Sequence, residues 1–220
     1  MAKITVERFA EAVAAGLGAR LVALLLYGSA ARGTHVPDRS DVNTLLICDT
    51  VDEDLFARLE QPVRDWVKAG HPAPLILTQR EWQTSADAFA IEYEDMREAH
   101  RVLAGRDPWA GITVQRDHVR RQLEHELMGK LVRLRQAYVA LRGDPKQLAR
   151  VIAGSAAGFF TMLRATLRLG GKTPPVAADA LVREAAALIG FAPEGLGAVF
   201  QPDAYLAAVA RTAEFVNRLR

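Results

Sequence analysis

One cysteine, Cys48, stands alone in 220 residues, so the chain can form no internal disulfide. Its place at the end of an apolar run predicts a core thiol with no redox role. No apolar run approaches the twenty or so residues that cross a bilayer, and no membrane helix is expected. The opening MAKITVERFAEAV has acids early and no long apolar core, unlike a secretory signal, so the expected compartment is the cytoplasm. Internal repeats and low-complexity segments are missing too. Aromatic residues make up only 7% of the chain, and the net charge is +2. What is present is ordinary for a globular protein: half the residues are hydrophobic and a quarter charged. That is material for one large or two small domains.

The small net charge conceals a split. Residues 1–112 carry 12 lysines and arginines against 17 acids, whereas residues 113–220 carry 16 against 9. This places a domain boundary near Gly111 to Val114, giving domains 1–112 and 113–220. The basic half suits phosphate or nucleic acid, or else docks on the acidic half.

The informative stretch is Leu21 to Cys48, LVALLLYGSAARGTHVPDRSDVNTLLIC. Leu21–Tyr27 is a seven-residue apolar run, the length of a strand buried on both faces. Gly28-Ser29 ends it, and Ala30-Ala31-Arg32 can start a helix. The free N–H groups of that helix start suit a phosphate, and glycine allows close approach. After a loop with His35 and Pro37, Ser40-Asp41-Val42-Asn43 opens a second apolar run, Thr44–Cys48. Residues two apart on a strand share a face, so Asp41 and Asn43 are expected to point the same way.

GSAARG followed by SDVN resembles the motif of the nucleotidyltransferase superfamily, which has the DNA polymerase beta-like fold: Gly-Ser, then Ser-Asp-x-Asp on a strand. The resemblance implies an α/β (α+β) domain with a mixed sheet followed by an all-α helical bundle, as in two-domain aminoglycoside-type members. It also implies transfer of a nucleoside monophosphate from a triphosphate to a hydroxyl on a small molecule or protein. Gly28, Ser29, Arg32 and Asn43 would bind the nucleotide, and Asp41 would ligate Mg2+ and take part in catalysis. A homodimer is left open. In the family, two acids on this strand and a third from a neighbouring one hold two magnesium ions. Here Asn43 replaces the second acid, offering a carbonyl oxygen but no charge. The other reading is therefore a catalytically degenerate nucleotide-binding or partner-binding, antitoxin-like module.

The remaining pattern predicts elements in order. Residues 5–19 read as a helix. Asp52 can cap another over about 53–69, which Pro62 should kink or split. Pro74–Thr78 is a third strand without a carboxylate, and Thr78 with Glu81 fits a capping box. Glu92, Glu94, Asp95 and Glu98 crowd the next segment. Adenylyltransferase relatives place a catalytic base beyond the third strand, which makes Glu92 the candidate here, with Asp95 next; a solvated acidic face is the alternative. His100–Leu103 reads as a short edge strand. Beyond it, helical stripes run over 119–141, from Pro145 past Leu167, over 176–189 and over 203–219, four helices in an antiparallel bundle. Arg120 and His125 have a spacing similar to HEPN ribonuclease domains, though ion pairing with Glu124 and Glu126 also accounts for the arginine.

Overall fold

The computed structural model describes residues 4–34, 41–197 and 200–219. His35, Pro37 and Ser40 lie outside them. The chain divides into two compact units: residues 1–86 with 96–113, and residues 87–95 with 114–220. The segment Asp87–Asp95 thus groups with the helical unit.

The first unit is built on β1 (Leu21–Tyr27), β2 (Asn43–Cys48), β3 (Leu75–Thr78) and β4 (His100–Gly105), in the order β3-β2-β1-β4. β1 pairs antiparallel with β2 and β4, whereas β2 pairs parallel with β3, a mixed sheet. Leu24, Leu25, Leu45, Leu46 and Ile47 are fully buried, so both faces of the central strands are covered. That explains their near-continuous apolar runs. On one face pack α1 (Val6–Leu17) and α3 (Glu53–Lys68), with Phe9 stacked on Trp66 at 4.4 Å between ring centroids. Thr5 and Asp52 cap these two helices through the amides of Arg8 and Leu55. Pro62 does not split α3, which runs unbroken. Leu55, Leu59 and Trp66 anchor both sides of the proline, so losing one backbone hydrogen bond does not part the helix.

Beyond β3, α4 (Gln79–Thr84) opens with the full capping box: the Thr78 amide donates to Glu81 Oε2 at 2.7 Å and the Glu81 amide to Thr78 Oγ1 at 3.1 Å. β4 lies at the sheet edge, as its sequence suggests. Gly105 ends it at φ +80°, and a Cβ there would stand 2.3 Å from the Val22 carbonyl oxygen. No other residue fits that approach. The following loop is stapled down by tryptophans: Trp82 Nε1 donates to the Pro108 carbonyl at 2.9 Å, and the Trp82 and Trp109 rings meet edge to face at 4.9 Å.

The helical unit contains α6 (Arg116–Ala140), α7 (Pro145–Leu169), α8 (Ala178–Ile189) and α9 (Pro202–Arg218), along with most of α5 (Ala90–Glu98). α7 packs on α6, α8 and α9, and α6 also packs on α9. Leu123, Leu127, Phe159, Leu163, Tyr205 and Val209 form its centre, all fully buried. Asp144 caps α7, whose first residue is Pro145. Apolar Val151 of α7 is exposed; the buried line runs through its neighbour Ile152, about 100° around the helix. Among the described residues no helix is long and apolar enough to cross a membrane. Cys48 is buried, and burial raises its thiol pKa, which suits a packing role.

Arg20 closes the end of the sheet away from Tyr27. Its guanidinium reaches Asp49 at 3.3 Å, Asp52 at 2.9 Å and Asp54 at 2.8 Å. All three carboxyls are held below their ordinary range: Asp52 by the Leu55 amide and then Arg20, Asp49 by the Thr50 amide and Arg20, Asp54 by Arg58 and Arg20. A carboxylate with a lowered folded-state pKa stabilises the fold above its unfolded value of about 4, and that contribution is lost as pH falls through the folded value. Arg20→Ala should therefore lower the urea midpoint near pH 7 and lower it less near pH 2.5. An equal loss at both pH values would contradict this origin of the stability.

Candidate functional site

Pairing of β1 with β2 and β4 assembles one end of the sheet. Tyr27, the last residue of β1, lies opposite Asn43 on one side and His100 on the other. The chain then enters α2 (Ser29–Arg32) through Gly28, at φ +77° and ψ −146°. Side chains avoid that region at a cost of about 1–3 kcal/mol. A Cβ on Gly28 would also meet Asn43 Nδ2 at 3.4 Å, so this turn and the start of β2 are in contact range.

α2 is a single turn, held from both ends. The Arg32 amide donates to the Gly28 carbonyl at 3.0 Å, the Thr34 amide to the Ser29 carbonyl at 3.0 Å, and left-handed Gly33 follows. Ala30 and Ala31 pack against the sheet core. The amides of Ser29, Ala30 and Ala31 precede the first intrahelical bond, and such amides are the donors a helix start offers to an anion. Ser29 and Arg32 are both half-buried.

Asp41 is exposed and precedes β2, which starts at Asn43, so the expected shared strand face does not extend back to it. Val42 between them is buried, and Asn43 half-buried. β3 joins β2 only from Leu45 onward, two residues past Asn43, and its residues Leu75–Thr78 carry no acid. The next acid in the chain, Glu81, is engaged in its helix cap. Among the described residues no group of three or more His, Cys, Asp or Glu could hold a metal ion. Asp41 and Asn43 offer a single Mg2+ one carboxylate and one neutral oxygen. A two-ion centre does not fit these donors.

Glu92 belongs to the helical unit, apart in sequence and grouping from the other candidates. Gln122 of α6 grips it: the amide Nε2 donates to Glu92 Oε2 at 2.7 Å, and Oε1 accepts from the Ile91 amide at 2.9 Å. Asp95 is buried against Arg168, 3.4 Å away, which gives it a structural occupation. Arg120 pairs with Glu124 at 2.9 Å and with Asp117 at 3.5 Å, while His125 is exposed, so the local geometry accounts for the arginine by ion pairing.

Three contacts had no signal in the sequence. Gln122 carries no pattern that marks it as a carboxylate clamp. Nor could the chain order show that His100 ends beside Tyr27. Its imidazole is half-buried, with Nε2 at 3.1 Å from Trp109 Nε1 and Nδ1 at 3.0 Å from the Met96 carbonyl. Indole can only donate, so Nε2 is the acceptor and Nδ1 carries the proton. The third, Arg97 over the Trp109 ring at 5.1 Å, fastens the same loop.

No protein-family model and no curated protein matches the chain. In fold, it is similar to the spectinomycin adenyltransferase AAD(9) of Enterococcus faecialis, solved as a crystal structure with ATP and spectinomycin. The TM-score is 0.56 at 11% identity, covering 96% of this chain and 97% of the other.

If the Gly28–Ser29 turn is an anion cradle, its variants have distinct signatures. Ser29→Ala removes one hydroxyl but leaves the backbone donors, so nucleoside triphosphate affinity should fall by about tenfold. Gly28→Val forces a side chain into a glycine conformation against Asn43 and should abolish binding while the helical unit keeps its helical signal. Unchanged calorimetric titrations for both variants would remove the turn from the site.

Proposed function

We propose that the chain is a nucleotidyltransferase-like protein that binds a nucleoside triphosphate at the Gly28–Ser29 turn. Where transfer occurs, it passes the nucleoside monophosphate to a hydroxyl on a small molecule or protein. The observation that carries this reading is the contact-range placement of Gly28 against Asn43 at the end of β1. An adenyltransferase solved with ATP and spectinomycin shares the fold over nearly the whole chain, which supports the same reading. In it, Ser29 and the α2 amides bind phosphate, and the Arg32 guanidinium, one helical turn on, adds positive charge. Asp41 and the Asn43 carbonyl oxygen would hold one Mg2+ that keeps most of its water; when bound, such an ion offsets triphosphate charge. Glu92, held by Gln122 through one oxygen, keeps the other as an acceptor for a proton.

A second reading, a nucleotide- or partner-binding module without turnover, has its own support. Asn43 is neutral, and β3 contributes no carboxylate. Transfer needs charge stabilisation of the leaving pyrophosphate and a more acidic acceptor hydroxyl. One carboxylate supplies little of either.

The two readings part at Asn43. The natural protein should bind magnesium weakly and release little pyrophosphate from any common triphosphate over a panel of hydroxyl acceptors. Asn43→Asp restores a paired-carboxylate strand mouth and should strengthen Mn2+ or Mg2+ binding several-fold, without necessarily restoring turnover. Robust pyrophosphate release by the natural protein, lost in Asp41→Ala, would refute the module reading. It would also make Glu92→Gln the next variant to assay.

A further inference from the structure

Two recesses in the helical unit lie on either side of a single arginine. One, of about 360 Å³, is lined by Arg116, Arg168 and Lys172 with Val114, Val119 and Leu169, and holds one acid, Glu94. The other, of about 370 Å³, is lined by Arg116, Arg120 and Arg218 with Leu169 and Leu219, and holds one acid, Asp117. Arg116 and Leu169 belong to both.

The cations there are not all spoken for. Asp95 offsets Arg168, and Asp117 and Glu124 offset Arg120. Among the described residues Lys172 pairs with Glu184, 3.7 Å away in an exposed pair of small worth. Among the described residues, no carboxylate pairs with Arg116 or Arg218. Arg116 donates instead to the Leu169 carbonyl at the end of α7.

Neutralising the end of α7 does not account for this charge. Its last carbonyls already have partners: Thr166 accepts from the Gly170 amide at 2.9 Å, Leu167 from Lys172 at 2.9 Å and Arg168 from Gly171 at 2.9 Å. Only the Leu169 carbonyl turns to Arg116. The lysine and the second unpaired arginine are left over, around an apolar floor. Cations over apolar lining suit a ligand with an anionic end and an apolar body. A planar guanidinium with five donors suits phosphate, which it can meet with two parallel hydrogen bonds. Recesses of this size suit a small molecule more than a strand tracked over many phosphates.

We infer that the helical unit binds a phosphate monoester with an apolar body, its phosphate on Arg116 and Arg218 and its body on Leu169 and Leu219. This site is separate from the Gly28–Ser29 turn and does not depend on the nucleotide reading.

Phenyl phosphate is the probe, titrated into the full chain by calorimetry, with Gly28→Val as the background that removes the turn. Binding should persist in Gly28→Val and weaken by about tenfold in Arg116→Gln. Arg218→Gln, at a residue that caps no carbonyl, should weaken it several-fold with an unchanged thermal midpoint. Benzoate should bind much more weakly than phenyl phosphate. The inference is overturned by absent binding, by affinity unchanged in both arginine variants, or by affinity lost in Gly28→Val. Equal affinity for benzoate overturns the phosphate assignment. A single-stranded oligonucleotide that binds far more tightly, with steep salt dependence, would replace the small molecule with nucleic acid.

Discussion

Antiparallel pairing of β1 with β2, ending at Tyr27 opposite Asn43, is the constraint on which the candidate nucleotide site depends. Leu24, Leu25, Leu45 and Leu46 are fully buried, and the register sets Leu24 opposite Leu46 and Leu25 opposite Leu45. The register in turn delivers Gly28 to Asn43, and the positive φ at Gly28 turns the chain into α2 at that point. β4 then reads its place from β1 and β3 from β2. The turn proposed to cradle phosphate is thus a by-product of packing the sheet, and what it could do depends on the residues beside it.

Among the described residues of the sheet unit, this strand end is short of negative charge. A carboxylate pair concentrates magnesium because two full charges meet one ion, whereas an amide oxygen contributes only a dipole. The start of β3 two residues beyond Asn43 makes the deficit structural, because the strand carries no acid and joins β2 past the mouth. Glu81 is engaged as a cap, Asp95 as a partner of Arg168, and Glu92 is held by Gln122. Under the proposed module reading, such a site binds without turnover; under the transferase reading, Glu92 keeps one carboxylate oxygen for a proton.

Much of the fold was legible because its signals are local. The capping box at Thr78 and Glu81, the Asp144-Pro145 helix start and the seven-residue run of β1 each state their element within a few residues. The leucine stripe of α6 appears as a line of buried residues from Val119 to Leu134. Pro62 does not split α3, because tertiary packing on both sides of it outweighs one lost hydrogen bond. Val151 shows that apolar character alone does not place a residue on the buried side of a helix. The motif names Gly28 and Asn43, and their proximity follows from strand pairing, whereas Asp41 precedes the strand. Gln122 on Glu92, His100 beside Tyr27 and the Arg116 recesses were not legible. Each joins residues distant in sequence through side chains of common type, and no spacing announces such a contact.

The most direct test of the nucleotide claim is a crystal structure of the chain with magnesium and a non-hydrolysable nucleoside triphosphate. Phosphate density is expected against the Ser29 amide and hydroxyl at the start of α2, with at most one ion, on Asp41. Triphosphate bound elsewhere, or a strand end closed to it at saturating ligand, would contradict the account.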